Sequence, residues 1–457
     1  MSFKKVFLIS LFLVALTTRF IKIDWGDGFY FHPDENNLAT ALSSITPTNF
    51  NPHFYAYGQF PIYLGYFTLK LFSLANTFAN SIIVLRIYSA IFSILALFVF
   101  YKIFPNIIFL ILLIFSPGLI QLAHFGTTES LLILCFALII YFSQKQQYFW
   151  LAIVSGIAVS TKLSALLLLT PILFIKPRLI FFLVFPLSYF LSSPYNLLRF
   201  SEFYSSMKYE LSVANGSLPV FYTRQFVGTL PYLFPILKIF PYAVGLPTLI
   251  ISLFSFSSFK KYYRLLIPCL LYFLYFGQTF IKWFRFMSPI FFVFPFLASL
   301  FISKQNKYLQ VFLVLISIIP GVLFINTYLQ KDIRVQASNW IEKNIPPKSK
   351  IFSEAGNVIN LPFSPNYQTV NFDFYQPYSQ PMLYSLVSDS DYLLIPSRRV
   401  FKNNFDNDYY QKLFNGKLGF KEIKKFVPNN WWLLNPENAE ETFSVFDQPT
   451  VRIYQQK

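Results

Sequence analysis

The chain has 457 residues, 55% hydrophobic and only 12% charged, with 59 Phe and 30 Tyr, a balance that excludes an ordinary water-soluble domain. The net charge is +17, unevenly placed: 22 Lys and Arg against 7 Asp and Glu up to Gln330, then 15 against 13. The basic excess thus sits in the apolar part, where it orients helices, and is poor evidence for nucleic-acid binding.

Apolar runs near the roughly 20-residue spanning length fall at 6–21, 82–101, 107–123, 130–142, 149–160, 164–175, 179–191, 236–256, 265–280, 286–302 and 309–328. The first lacks a small-residue cleavage site and is followed by Lys22, so it reads as a retained helix rather than a signal peptide. The runs at 149–160 and 164–175 are short, and a single helix through both would change the parity. Residues 60–74 read as a juxtamembrane helix. Cys135 and Cys269 lie in apolar runs and read as small buried hydrophobes, with no disulfide expected.

Loop charge orients these spans. With the N-terminus inside, the inner loops hold Lys4, Lys5, Lys102, Lys145, Lys176, Arg178, Lys260, Lys261, Arg264, Lys304 and Lys307 and no acid. The acids before Lys331 are Asp24, Asp27, Asp34, Glu35, Glu129, Glu202 and Glu210, all on the outer side or at outer helix ends. An odd span count puts the C-terminus outside. Two outer loops are long, 22–81 and 192–238, and long loops are usually functional.

From Lys331 the composition becomes that of a small α/β domain. Residues 332–344 and 408–414 read as helices, and 350–353, 367–372, 391–396 and 451–454 as strands. The expected fold is an α-helical polytopic membrane protein of about eleven spans over 1–330, with a small extracytoplasmic α/β domain over 331–457. The expected location is the plasma membrane.

The chemistry-bearing stretch is His32-Pro33-Asp34-Glu35, in the first outer loop. Charge at membrane depth is costly, so two adjacent carboxylates there are candidates for function. Asp and Glu also favour the first turn of a helix, so capping is the competing reading. Lys162 lies between apolar runs, and Arg285, Arg86 and Arg224 are further outer cations. Each can meet an anion or snorkel to the interface. His124 suits either a sugar or carboxylate contact or an interfacial site, and Glu129 either function or capping. His32, His53, Asp34 and Glu35 have no recognisable metal-ligand spacing, so a divalent metal is possible but not favoured, and no cofactor is expected.

Taken in order, these motifs resemble the GT-C integral-membrane glycosyltransferases of the protein-mannosyltransferase and aminoarabinose-transferase type. The resemblance runs from His32-Pro33-Asp34-Glu35 through Tyr57-Gly58-Gln59-Phe60-Pro61 to Leu85-Arg86-Ile87-Tyr88-Ser89. It continues with His124 and Glu129, Gly156-Ile157-Ala158 leading to Ser160-Thr161-Lys162, and Ser193-Pro194-Tyr195. It ends with Arg285-Phe286-Met287-Ser288-Pro289, where the family often has Arg-Tyr, and with the closing Phe446-Asp447-Gln448-Pro449-Thr450-Val451.

The resemblance implies a polyprenyl-phosphate sugar donor and an acceptor glycan, lipid or protein at the outer face of the bilayer. Asp34 would be the general base of an inverting displacement, with Glu35 second choice or an orienting group. Lys162, Arg285, Arg86 and Arg224 would face the donor phosphate. His32, His53, Tyr57, Gln59, His124, Glu129 and Tyr195 would contact sugar or acceptor. A lipid-linked-glycan flippase or other transporter is the alternative, but the acids cluster at one face and no internal repeat is visible. A non-catalytic cell-envelope assembly protein is a third reading and would need no acidic pair.

Overall fold

The computed structural model describes residues 3–355, 361–362, 366–403, 407–428 and 433–457. The chain forms two compact units. One comprises Met1–Ile23, Asp34–Pro219 and Gly228–Ile325; the other comprises Asp24–Pro33, Val220–Val227 and Asn326–Lys457.

The first unit is helical. It contains α1 (Phe3–Phe20), α2 (Pro33–Ser43), α3 (Phe60–Leu71), α4 (Phe78–Ile103), α5 (Ile107–Ile114), α6 (Pro117–His124), α7 (Glu129–Lys145), α8 (Tyr148–Thr161), α9 (Leu179–Ser192), α10 (Tyr195–Leu198) and α11 (Phe200–Ala214). Further helices follow between Leu233 and Leu329. Among the described residues, Phe78–Ile103 and Lys307–Leu329 are long and apolar enough to cross a membrane, or up to five spans if each bent pair counts as one.

The eleven expected runs are thus not eleven straight helices. Proline and glycine explain the difference. The run at 107–123 bends by 54° where Pro117 starts α6. That at 236–256 turns by 114° at Gly245, whose φ of +82° favours glycine, just before Pro247. The run at 286–302 bends by 45° beyond Pro289. Residues Leu163–Phe174 form a 3₁₀ helix containing Pro171. At about 2.0 Å rise per residue, those twelve residues reach about 24 Å, further than an α-helix of that length.

Small residues set the closest helix contacts. A Cβ on Gly156 of α8 would lie 2.6 Å from the Ser188 side chain and 2.7 Å from the Tyr189 nitrogen of α9. The Ser188 hydroxyl donates to the Ile153 carbonyl at 2.8 Å. Arg19, fully buried near the end of α1, donates to the Leu113 and Ile114 carbonyls at the end of α5. A cation there meets the negative end of the α5 dipole and satisfies carbonyls freed by the bend. Cys135 and Cys269 are buried free thiols.

The second unit holds a five-stranded sheet in the order β2-β1-β3-β5-β4. Its strands are β1 (Lys350–Glu354), β2 (Gln368–Phe372), β3 (Tyr392–Ile395), β4 (Phe420–Phe426) and β5 (Val451–Gln456). β1 pairs in parallel with β2 and β3, whereas β5 runs antiparallel to β3 and β4. Side-chain alternation gives the sheet two cores. Phe352, Leu393 and Tyr454 pack on one face with Leu383 and Tyr409. Ile351, Leu394 and Ile453 pack on the other with Ala337 and Ile341.

Candidate active site

Asp34 and Glu35 occupy the first turn of α2. Successive helical residues point about 100° apart, so the two carboxylates meet different surroundings. Glu35 turns inward. Its oxygens accept from Arg86 Nε at 2.9 Å and Nη2 at 2.8 Å, and both side chains are 0% exposed. The Gly126 backbone N–H donates to the same carboxylate. A Cβ at Gly126 would lie 2.9 Å from the Leu85 Cβ, so glycine permits the loop before α7 to reach this pair.

Asp34 faces a more open place. It forms an ion pair with Arg285, and the two side chains are 19% and 22% exposed. The Tyr57 hydroxyl donates to Asp34 Oδ1 at 3.2 Å. Burial pushes the Tyr57 phenol well above its ordinary pKa. It therefore stays protonated and serves as donor.

The Tyr57-Gly58-Gln59 segment is fixed from both sides. The Gly58 N–H donates to the Thr161 carbonyl at 2.8 Å, and a Cβ there would come within 2.0 Å of the Ser160 carbonyl oxygen. Gln59 is buried; its N–H donates to Ser193 Oγ at 2.8 Å and its side-chain amide to Asn196 at 3.1 Å. Its carbonyl oxygen accepts from the Tyr195 N–H at 3.0 Å. Gln59 and Tyr195 thus brace the loop.

This bracing places Tyr57 beside Lys162, which follows α8. Lys162 Nζ lies 5.5 Å from the Tyr57 ring centre, 4.4 Å from that of Phe286 and 3.6 Å from Glu129 Oε1. The Arg285 guanidinium lies 5.5 Å from the Trp283 ring and 5.9 Å from the Phe286 ring. Aromatic faces hold both cations partly dehydrated. Asp34, Tyr57, Glu129, Lys162 and Arg285, from five separate chain segments, form one cluster.

Glu210 of α11 joins that cluster electrostatically, with Arg285, Lys162 and Asp34 as neighbours. Desolvation raises its carboxyl pKa, and the two cations oppose the rise. In the sequence it was only one acid of the second outer loop. Its position two residues after Lys208 on an amphipathic helix gave no sign of this role.

Other candidates have different surroundings. Arg86 is committed to Glu35 rather than open to a phosphate, because its fork matches that buried carboxylate. His124 is fully buried, with its ring nitrogens 2.8 Å and 2.9 Å from the Ile120 and Ile21 carbonyls, and offers no edge to a sugar. His53 groups with Asn51, Tyr55 and Glu202, 3.4 Å from the Glu202 carboxylate. His32 and Arg224 belong to the second unit, where His32 packs 4.4 Å from the Phe446 ring and Arg224 lies 5.5 Å from the Tyr375 ring. Among the described residues, no group of three His, Cys, Asp or Glu is placed to hold a metal ion.

No protein-family model and no curated protein matches the sequence. The structure is similar to ArnT from Cupriavidus metallidurans bound to undecaprenyl phosphate, at 12% identity and a TM-score of 0.50, covering 98% of both chains. It is also similar to the apo oligosaccharyltransferase of Archaeoglobus fulgidus, at 13% identity and a TM-score of 0.50, covering 87% of this chain and 70% of that one. Identities this low speak for the fold alone. The chain therefore shares the GT-C fold of these two proteins.

Proposed function

We propose that this protein is an inverting glycosyltransferase that moves a sugar from a polyprenyl-phosphate donor to an acceptor hydroxyl at the outer membrane face. The carrying observation is the Asp34–Tyr57–Arg285 group beside the Lys162–Glu129 pair. The comparison with a fold relative bound to undecaprenyl phosphate supports the donor class. The outer location rests on the acid-free, basic character of the loops on the opposite side.

In the proposed reaction, the acceptor oxygen attacks the anomeric carbon as the bond from that carbon to the donor phosphate oxygen breaks. The hydroxyl proton passes to Asp34. The phosphate leaves as a monoester carrying one more negative charge than the diester donor. Lys162 and Arg285 meet that charge. Tyr57 orients the base, and Glu129 holds Lys162. Glu210 is a further carboxylate within reach of the sugar or acceptor.

Asp34→Asn keeps the shape and removes the proton acceptor. Purified variant should load polyprenyl-phosphate sugar but turn it over about 10²–10⁴-fold more slowly. Wild-type turnover by well-folded Asp34→Asn protein would overturn the base assignment.

A further inference from the structure

A cavity of about 600 Å³ lies at the end of α7 opposite Glu129. α7 has 17 residues, so at 1.5 Å per residue about 25 Å separates its two ends. The cavity is therefore distinct from the Asp34 cluster. Its wall combines the end of α7, the start of α8, the end of the 3₁₀ run and Arg264.

Its lining has two characters. Leu173 and Phe174 supply an apolar side, and Leu173 is largely exposed. Lys176, Arg264 and Gln146 supply a polar one. Ser143, also on the wall, is buried, and among the described residues its hydroxyl has no hydrogen-bond partner. A buried hydroxyl without a partner costs free energy unless something fills that role.

Among the described residues that line the cavity, no acid offsets this charge. No Asp or Glu occurs between Ser130 and Ser201 or between Leu211 and Lys331, the stretches that supply every lining residue. Among the described residues, neither Lys176 nor Arg264 forms an ion pair. Cations gathered at the apolar edge of a membrane protein attract anionic headgroups.

We infer that this cavity holds the headgroup of an anionic glycerophospholipid, with its phosphate between Lys176 and Arg264. Glycerol oxygens would accept from the Ser143 hydroxyl, and an acyl chain would lie over Leu173 and Phe174. A soluble anion would leave that apolar side unused. A zwitterionic headgroup would bring its own cation against two others. The inference does not depend on the proposed sugar transfer.

The test is native mass spectrometry of delipidated protein offered equal phosphatidylglycerol and phosphatidylcholine. Wild type should retain phosphatidylglycerol about tenfold or more over phosphatidylcholine, because the choline cation would lie against Lys176 and Arg264. Lys176→Gln/Arg264→Gln should lose the preference, and Lys304→Gln/Lys307→Gln should keep it. Equal retention of the two lipids by wild type, or an unchanged preference in the first variant, would overturn the inference. Displacement of the lipid by millimolar inorganic phosphate would also do so, by marking a free-phosphate site. If the first variant fails to fold, photoreactive phosphatidylglycerol on wild type decides: labelling of 171–176 supports the site, and labelling elsewhere refutes it.

Discussion

Arg86→Leu is expected to damage folding rather than donor binding. Arg86 and Glu35 are both 0% exposed and make two charge-assisted hydrogen bonds at 2.9 Å and 2.8 Å. Arg86 Nη1 also donates to the Ile23 carbonyl at 3.1 Å. Leucine would leave the Glu35 carboxylate in a dry site with the Gly126 N–H as its remaining donor among these contacts. Breaking a buried pair from one side costs about 3–5 kcal/mol, a large part of the stability of most proteins. Arg86→Lys would keep the charge but lose the fork, and should fall between leucine and wild type.

The assay is the yield and thermal unfolding of detergent-purified protein, followed by size exclusion. Glu35→Leu/Arg86→Leu should recover part of the loss, because neither charge is then left buried alone. The reasoning fails if Arg86→Leu is as stable as wild type yet no longer takes up a polyprenyl-phosphate donor. That result would restore Arg86 to the donor site.

Three further outcomes follow from the cluster around Asp34. Lys162→Met should weaken donor use by about 1.5–3 kcal/mol, the worth of a hydrogen bond to a charged group, read as a fall in kcat/KM for the donor. Unchanged donor kinetics would make Lys162 a structural partner of Glu129. Gly58→Ala should cut turnover sharply, because its Cβ would come within 2.0 Å of a backbone oxygen and push Tyr57 away from Asp34; full activity would show that this loop is not positional. Tyr57 should stay neutral through mildly alkaline pH. Its pKa is raised, so the protonated donor persists to a higher pH than for a free phenol. The pH–rate profile should therefore have the same shape for wild type and Tyr57→Phe between about pH 8 and 10, with the variant lower throughout; an alkaline fall seen only in wild type would show that Tyr57 titrates there.

The acidic pair was legible in the sequence because charge is scarce in a chain this apolar, and Lys162 and Arg285 stood out for the same reason. Their partners were not legible. Whether Arg86 meets Glu35 or a ligand depends on the rotation of α2 and α4, which sequence spacing does not settle. Local order was easier to see than its interruptions. Prolines at 117, 247 and 289 were present to read, yet hydropathy alone merged each bent pair into one run. In the second unit, β1, β2, β3 and β5 carry β-branched or aromatic runs. β4 reads Phe-Lys-Glu-Ile-Lys-Lys-Phe and lacks that signature, as befits an edge strand guarded by lysines. The helix Gln380–Ser388 was also missed, although Ser379 caps it and Pro381 stands in its first turn.

Adjacent carboxylates would be wasteful if both served one bond, and their separate surroundings give each a distinct use in the proposed reaction. Glu35, locked by Arg86 and Gly126, fixes the start of α2. That rigidity holds Asp34 in place with few rotamers to lose. Asp34 itself is paired with Arg285 and accepts from the Tyr57 hydroxyl. An arriving donor phosphate offers Arg285 a second anion. In the proposed reaction Arg285 would then be shared between the base and the leaving group. One guanidinium would thus link the carboxylate that takes the acceptor's proton to the phosphate that leaves, while Glu35 keeps Arg86 out of that contact.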